Sequence, residues 1–190
     1  QVVNPRPGEI MFGLNLVVHK GKTIFVADTS VHEYPSSEQM CKIAISAARV
    51  VRLFGFDPKV AFVSHSTFGQ PVTSRTKHIR KAVDILREKN VDFEFDGDMQ
   101  PDVALNKDYK NLYPFSKIVG NANILIMPGQ HSAAISYKMM KELGDTKVIG
   151  PLLIGLGLPI EIAPLRTSTS ELINLASVAA YSADVIDYKK

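Results

Sequence analysis

A short apolar run that ends in small polar residues constrains the fold more than any other stretch. The segment KVAFVSHSTFG, residues 59–69, joins the apolar run Val60–Val63 to a loop of hydroxyl side chains and a glycine. A short apolar run bounded by turn residues is typical of a strand buried on both faces. Apolar residues at helical spacing follow over Ser74–Lys89. Strand, polar loop and helix in this order predict an α/β sheet with a ligand site at the carboxyl ends of its strands.

The rest of the chain alternates in the same way. Further strands are predicted at Phe12–His19 and Lys22–Asp28, which form a hairpin, and at Val91–Phe95, Ile124–Met127, Val148–Leu156 and Pro159–Ala163. Further helices are predicted from Ser36 to Gly55, within Asp108–Gly120, and at Ala133–Leu143 and Thr169–Ala183, with a frayed end at Asp184–Lys190. This alternation favours a three-layer α/β/α sandwich. The initial hairpin makes its sheet mixed, and Val60–Val63 and Ile124–Met127 are expected to be interior strands.

Composition and charge exclude several classes of protein. The chain has 190 residues, of which 45% are hydrophobic, so it can form one sizeable α/β domain. The net charge is +3 without a concentrated Lys/Arg tract, which does not favour nucleic-acid binding. No apolar run reaches about 18 residues, so no membrane span is expected. The single cysteine, Cys41, fits a reducing compartment such as the cytoplasm. Because Gln1 rather than methionine begins the chain, we expect a processed chain or a fragment.

Two segments are candidates for binding an anion. The loop after the central strand offers small side chains and backbone N–H groups, with Ser64, Ser66, Thr67 and Gly69 as the candidate ligand-binding residues. Arg166 follows one predicted strand and precedes the last helix, where a guanidinium and free backbone donors can clamp an anion. Because each segment follows a strand and precedes a helix, we expect both at one opening. The alternatives are purely structural: the loop only turns the chain, and Ser168 with Glu171 only caps a helix.

Other polar residues are weaker candidates. His65 and His131 follow strands, but no GxSxG elbow accompanies them, and a lone histidine is more often structural. Three carboxylates lie close in sequence, Asp96, Asp98 and Asp102. They lack the spacing of a calcium loop, so turn and N-cap roles are expected and no metal site is predicted. Cys41 is expected to pack on its helix. The glycine-rich segment 150–157 lacks GxGxxG, so the chain carries no visible NADP site of its own.

Several of these segments, in this order and spacing, resemble the phosphate acetyl/butyryltransferase family, commonly called phosphotransacetylase. They are FVADTSV, KVAFVSHSTFG, FDGDMQPDVALN, ANILIMPGQHSAAISYK, IGPLLIGL and the segment around Arg166. The resemblance covers about Met11 to Ala183. The residues within these segments are most similar to those of the phosphotransacetylase-like domains at the C-terminal end of bacterial NADP-dependent malic enzymes.

The resemblance implies one lobe of a two-lobed α/β/α fold, related to that of isocitrate and isopropylmalate dehydrogenases. A CoA ester and phosphate would bind in the cleft between the lobes. Residues 1–163 would be the second lobe and 164–190 the return segment with the terminal helix, the first lobe being absent from this chain. The resemblance also implies a homodimer formed through this lobe. NADP and a divalent metal would belong to a malic-enzyme part outside the chain.

The resemblance assigns roles around the last helix. In the transferases a Ser–Arg pair precedes this helix and an Asp near its start deprotonates the CoA thiol, while the Arg stabilises the charged intermediate. Here Arg166 matches the Arg, Leu165 stands in place of the Ser, and Glu171 lies near the Asp with one residue fewer between. Ala134 stands where the family often has Asn.

These departures predict impaired catalysis, because leucine donates no hydrogen bond and a displaced base can cost orders of magnitude in rate. We therefore expect an acetyl-CoA-binding regulatory and oligomerisation domain. Two alternatives stay open: an active phosphate acetyl/butyryltransferase with Arg166 and Glu171 as catalytic residues, and a purely structural oligomerisation module.

Overall fold

Strands and helices alternate along most of the chain in the computed structural model, which describes residues 3–185. The strands are β1 Phe12–His19, β2 Lys22–Ala27, β3 Lys59–Val63, β4 Glu94–Met99, β5 Ile124–Ile126, β6 Thr146–Ile154 and β7 Ile160–Glu161. The helices are α1 Ser37–Leu53, α2 Ser74–Glu88, α3 Pro101–Leu105, α4 Lys107–Lys110, α5 Gln130–Leu143 and α6 Thr169–Val185. The frayed end predicted for Asp184–Lys190 lies mostly outside the described residues.

Within the described residues, the strands form one mixed sheet in the order β4-β3-β5-β2-β1-β6-β7. The strands β2, β5, β3 and β4 are parallel to one another. By contrast, β1 is antiparallel to β2, β6 to β1 and β7 to β6. The predictions of an initial hairpin, of a mixed sheet and of interior positions for β3 and β5 are therefore confirmed.

Successive side chains of the central strands enter two apolar cores, one on each face of the sheet. Val60 and Phe62 of β3 pack in the core that contains residues of α1 and α2. Ala61 and Val63, which alternate with them, pack in the core that contains residues of α3 and α5. Helices therefore cover both faces, and the prediction of an α/β/α sandwich is confirmed.

The ends of α1 are set by local signals that the sequence shows. The Ser36 hydroxyl accepts a hydrogen bond from the Gln39 backbone at 3.1 Å, and the Gln39 side chain accepts one from the Ser36 backbone at 2.7 Å. This reciprocal capping box satisfies two donors that the first turn leaves unpaired. Gly55, with φ +82°, ends the helix. Thr73 and Thr76 form the corresponding box at the start of α2.

The fourth strand corrects one prediction. The expected strand Val91–Phe95 lies instead at Glu94–Met99. The apolar pattern placed this strand too early in the chain, because the true strand contains two carboxylates. These are Asp96 and Asp98, which are 3% and 0% exposed. The turn roles expected for these two residues are therefore wrong, and arginines of α2 compensate their burial. Asp102 does serve a helix start, since its carboxylate accepts a hydrogen bond from the Val103 backbone at 2.9 Å in the first turn of α3.

The buried carboxylate of Asp28 organises the end of β2. Its Oδ1 accepts hydrogen bonds from the backbone N–H groups of Gly13 at 2.8 Å, Ser30 at 2.9 Å and Val31 at 3.1 Å. Its Oδ2 contacts the backbone nitrogen of His32 at 2.8 Å and Nδ1 of the same residue at 2.7 Å. Asp28 is 1% exposed, so these partners replace water around the charge. The loop after β2 is thereby tied to β1.

Replacement of Asp28 by alanine is expected to lower the free energy of unfolding by on the order of 3 kcal/mol, because several backbone donors would be left buried without acceptors. Chemical denaturation followed by circular dichroism measures this change. Asp92→Ala is the matched control, since Asp92 is an exposed carboxylate that pairs with Arg52 at the surface, and its removal is expected to change stability little. Equal effects of the two substitutions would contradict the organising role of Asp28.

A half-buried carboxylate lies on the short edge strand. Glu161 of β7 pairs in register with Leu152 of β6, and its Oε2 is buried without a hydrogen-bond partner among the described residues. Burial raises the pKa of Glu161 to about 8, and a backbone hydrogen bond at Leu153 opposes this rise only in part. The folded chain therefore holds the proton of Glu161 at neutral pH.

Glu161→Gln is expected to stabilise the fold increasingly as the pH rises from 5 to 8. An unfolded Glu loses its proton near pH 4.3, whereas the folded residue keeps it until about pH 8. Stability contributed by the protonated form is therefore lost as the pH rises through this window. Melting temperatures of wild type and variant should diverge by roughly 2–4 °C for each kcal/mol regained. A difference that stays constant between pH 5 and pH 8 would show that Glu161 does not ionise in this way.

Candidate functional site

The carboxyl ends of β2, β5, β3 and β4 meet at one edge of the sheet, and the loop of residues 64–69 lies there. Backbone hydrogen bonds fix this loop to the end of β4: Ser64 donates to Met99 at 2.9 Å and Phe68 donates to Asp98 at 2.7 Å. The loop therefore has a defined shape. Its position agrees with the site that the strand–loop–helix pattern predicts.

The hydroxyl groups of the loop are already engaged. Ser66 is fully buried, and its hydroxyl donates a short hydrogen bond to the Asp98 carboxylate. The Ser64 hydroxyl accepts from the Ser66 backbone at 3.2 Å, and the Thr67 hydroxyl accepts from the Gln100 backbone at 3.2 Å. These side chains thus shape the loop, which supports the structural alternative for the hydroxyls.

Backbone donors remain available in the same loop. Within the described part of the chain, the backbone N–H groups of His65 and Gly69 make no hydrogen bond. Gly69 has φ +97°, and a Cβ at this position would lie 1.4 Å from Nη2 of Arg80. The guanidinium of Arg80 therefore lies directly against the Gly69 backbone, where only glycine leaves it room. Arg80 is held there by a hydrogen bond of 3.0 Å from its Nε to the Asp98 carboxylate.

A groove runs beside the loop and consists of two adjoining cavities, of about 350 and 290 Å³. The first cavity is lined by Ser64 and His65 of the loop and by Ser132 and Ser136 of α5. The second is lined by residues that include Tyr34, Pro35, Ser74 and His78. Arg75, Ile79 and Pro128 line both cavities and join them. We call this surface the loop groove.

Arg75 gives the loop groove a cationic wall. Its guanidinium carbon lies 5.4 Å from the centroid of the Tyr34 ring, a cation–π contact that orients the side chain. His78 is fixed nearby, because its Nε2 lies 2.9 Å from the carbonyl oxygen of Pro35. A cation, the unpartnered N–H group of the exposed His65 and hydroxyl side chains together suit an anionic ligand.

Arg166 lies elsewhere, in a cavity of about 490 Å³ that we call the Arg166 cavity. Its walls come from the C-terminal half of α5, the first half of β6, the segment 164–167 and α6. Tyr137, Lys138 and Lys141 of α5 line it together with Leu165 and Glu171. The side chain of Arg166 is exposed, so it is available to a ligand in this cavity.

The structure does not bring the loop and Arg166 to one opening, so this expectation is wrong. Three antiparallel pairings separate β7 from β2, and β2 is parallel to β3. β7 therefore runs antiparallel to β3. The chain accordingly leaves β7 at the end of the sheet opposite to the carboxyl end of β3. Apolar runs show that strands exist but carry no information on their direction. Among the elements that the structure describes, only α5 contributes to both places, with Ser132 and Ser136 in the loop groove and Lys141 in the Arg166 cavity.

Glu171 forms the cap that its spacing predicts. One carboxylate oxygen accepts hydrogen bonds from the backbone and the hydroxyl of Ser168 at 2.7 and 2.8 Å. The other accepts from Nζ of Lys141 at 2.9 Å. These contacts, led by the Ser168 backbone N–H and followed by Lys141, lower the pKa of Glu171 to about 2. Leu165 is fully exposed and offers no hydrogen bond beside Arg166.

The remaining candidates are placed as follows. The side chains of His65 and His131 are exposed. Cys41 is fully buried in α1, and burial raises the pKa of its thiol, as expected for a packing residue. Among residues 3–185, no cluster of three or more His, Cys, Asp or Glu side chains could hold a metal ion. None of the described helices is long and apolar enough to cross a bilayer.

Comparison with known proteins decides the family. The family described as "Phosphate acetyl/butaryl transferase" matches residues 1–180. The chain belongs to this family. The solved phosphotransacetylase from Streptococcus pyogenes superposes with a TM-score of 0.90 at 29% identity, over 97% of this chain and 57% of that chain. The resemblance seen in the sequence motifs is therefore confirmed.

Malic enzymes are among the relatives of this phosphate acetyl/butaryl transferase chain. The NADP-dependent malic enzyme of Rhizobium meliloti is 46% identical over 181 residues, which is 95% of this chain but 24% of the enzyme. The phosphate acetyltransferase of Bacillus subtilis is 29% identical over 96% of this chain and 57% of its own length. The chain thus spans about a quarter of the malic enzyme and just over half of the transferase.

The sequence reading missed three residues of the site, Arg75, Arg80 and Asp98. The signal for the last two was a matched spacing. Arg80 and Arg87 are two helical turns apart, and Asp96 and Asp98 point to one face of a strand. Two such pairs predict a helix packed on a strand by ion pairs, provided that β4 is placed correctly.

Gly69→Ala is expected to destabilise the fold more than Gly21→Ala. Both glycines have positive φ, +97° and +74°, so both substitutions cost about 1–2 kcal/mol of backbone strain. A Cβ at 21 meets nothing within 4 Å, whereas one at 69 displaces Arg80 from Asp98. The lost charged hydrogen bond should add roughly 1.5–3 kcal/mol. Urea denaturation of both variants tests this, and equal losses would show that Arg80 is not held against Gly69.

Proposed function

We propose that this chain is the acetyl-CoA-binding regulatory and oligomerisation domain of an NADP-dependent malic enzyme and is impaired as a phosphate acetyltransferase. Residues 1–163 are its second lobe and 164–190 its return segment. Similarity to the malic enzymes supports the parent protein. NADP and a divalent metal would act in the malic-enzyme part, outside the chain, and the whole protein would act in the cytoplasm.

One observation carries the proposed loss of transfer activity: the carboxylate of Glu171 is occupied. Three hydrogen bonds from Ser168 and Lys141 hold it at the start of α6. With a pKa of about 2, it is a weak base for a thiol, whose pKa is near 8.5. Efficient general-base catalysis needs a pKa near the working pH. Leu165 also supports the proposed loss of transfer activity, because its side chain cannot orient a reacting group by a hydrogen bond.

Ligand binding is proposed at the two anion-binding places. In the loop groove, Ser64, Ser66, Thr67 and Gly69 form the loop whose free N–H groups and neighbouring arginines receive a phosphate. Arg166 binds a second anionic or polar group of the CoA ester from its own cavity. The cationic side chains are retained, but a competent base is not. This combination suits a site that binds the ester and does not turn it over.

Self-association of the proposed domain is supported by exposed apolar residues near its C-terminal end. Leu158, Ile162, Leu172 and Ile173 are between 43% and 61% exposed. Apolar patches of this kind mark interaction sites. A homodimer or higher homo-oligomer formed by this lobe would cover them.

Arg166→Ala in the complete protein is expected to weaken acetyl-CoA binding by ten- to a hundredfold, as for the loss of a charged hydrogen bond of about 1.5–3 kcal/mol. Isothermal titration calorimetry measures the affinity. The fold should be unaffected, since the side chain is exposed. Any effect of acetyl-CoA on malate oxidation should weaken in parallel, because an effector acts only through its differential binding. Arg52→Ala, which removes an exposed arginine paired with Asp92, is the control. An unchanged affinity in Arg166→Ala would remove Arg166 from the site.

The same protein should form no acetyl phosphate from acetyl-CoA and phosphate. The phosphate acetyltransferase of Bacillus subtilis, 29% identical, is the reason to test this alternative directly. Turnover that disappears in Glu171→Gln would establish an active transferase with Glu171 as its base. Absence of any CoA-ester binding would leave only the structural role in oligomerisation.

A further inference from the structure

Two arginines of α2 pair with two buried carboxylates of β4, but they are used differently. Arg87 donates to Asp84 at 2.8 Å through Nη1 and contacts Asp96 at 3.5 Å through Nη2, so both of its terminal nitrogens are engaged. Arg80 donates to Asp98 through Nε alone. Within the described part of the chain, the Nη1 and Nη2 groups of Arg80 have no hydrogen-bond partner. The fixed guanidinium of Arg80 therefore presents one free edge, and its side chain is 36% exposed.

This free edge lies against the loop after β3. The Cβ position of Gly69 falls 1.4 Å from Nη2 and 2.9 Å from Nη1 of Arg80, so no side chain separates the guanidinium from the backbone. Because Gly69 is itself buried, the donors that a ligand can reach here are the terminal nitrogens of Arg80. Two N–H groups of one guanidinium are donors from which a phosphate group accepts. The buried Asp98 carboxylate fixes the guanidinium before any ligand arrives.

An aromatic cluster adjoins the same loop. Phe68 directly precedes Gly69, and its ring lies 4.8 Å from Phe115 and 5.4 Å from Tyr113, measured between centroids. Tyr113 and Phe115 are 6.1 Å apart. Although these contacts hold its ring, Phe115 is 59% exposed. A fixed, exposed aromatic ring is a stacking platform for a nucleobase.

We propose that Arg80, Gly69 and the aromatic cluster bind the 3′-phosphoadenosine end of a CoA ester. The terminal guanidinium nitrogens of Arg80, held against Gly69, take the 3′-phosphate, and Phe115 stacks on the adenine. CoA is favoured over a short nucleotide because the loop continues through Ser64 and His65 into the loop groove, which accommodates an extended ligand. This inference rests on the proposed binding of a CoA ester and adds the end of the molecule that is recognised.

The test compares acetyl-CoA with acetyl-dephospho-CoA, which lacks the 3′-phosphate, by calorimetry on the complete protein. The wild type should bind acetyl-CoA at least tenfold more tightly. In Arg80→Lys this preference should fall below about twofold, because an ammonium group can pair with Asp98 but has no second, fixed edge for the phosphate. Arg87→Lys is the matched control and should keep the preference, since Arg87 is paired on the same helix with Asp84 and Asp96.

Phe115→Ala tests the adenine platform. Both ligands carry the adenine ring, so both affinities should fall, by a similar factor of roughly five or more, and their ratio should be preserved. Leu143→Ala, which removes an 82% exposed apolar side chain elsewhere, should leave both affinities unchanged. Folding of each variant is checked by its melting temperature, and Phe115→Ala stays informative if Arg80→Lys fails to fold.

Several outcomes would overturn this inference. They are equal wild-type affinities for the two ligands, a preference that survives Arg80→Lys, and a Phe115→Ala variant that dissociates an oligomer without losing affinity. Competition by NADP but not by adenosine 3′,5′-bisphosphate would assign the place to a different nucleotide. If the wild type binds no CoA ester at all, the proposed function itself fails. If it binds acetyl-CoA independently of Arg80 and Phe115, only the inference about this end of the ligand fails.

Discussion

The carboxylate of Asp28 lies where the parallel and antiparallel parts of the sheet meet, and the rest of the molecule depends on it. It follows β2, which pairs in parallel with β5 and antiparallel with β1. By accepting hydrogen bonds from β1 and from the following loop, it fixes both at once. That loop in turn receives the start of α5, because His32 accepts a hydrogen bond from the Gln130 backbone at 3.1 Å. One buried charge thus positions a strand, a loop and the helix that lines both candidate sites.

Asp98 repeats this arrangement on β4, at the outer end of the parallel part of the sheet. It is fully buried at the end of β4, and Ser66 and Arg80 donate to its two oxygens. Neutralised and hydrogen-bonded, the charge is tolerated in the interior, whereas either partner alone would leave it under-satisfied. The loop geometry that the proposed ligand would meet is therefore determined by a side chain that the ligand does not touch.

The apolar patterns of the sequence predicted the sandwich, the two interior strands and both ends of α1, because burial and capping are local signals. They could not supply the direction of β7, since that follows from three long-range pairings, and so they placed Arg166 at the wrong edge. They also shifted β4, because Asp96 and Asp98 read as turn residues until their partners on α2 are known. The sequence pattern placed the loop at the carboxyl ends of the strands, where the structure has it, but the neighbouring cations, Arg75 and Arg80, depend on helix packing that the local pattern does not contain.

The apolar stripe of α5 has a mechanical consequence. Among its described residues Ala133, near the N-terminal end, is fully buried, and Tyr137 and Met140, one and two turns further on, are partly buried against the same core, so the helix is held to the sheet along most of its length. Ala133 lies between Ser132 and Ser136 of the loop groove, whereas Lys141, in the last turn, holds Glu171 at the start of α6. Because its apolar stripe spans this length, α5 connects the loop groove to the Arg166 cavity as one straight, rigid strut.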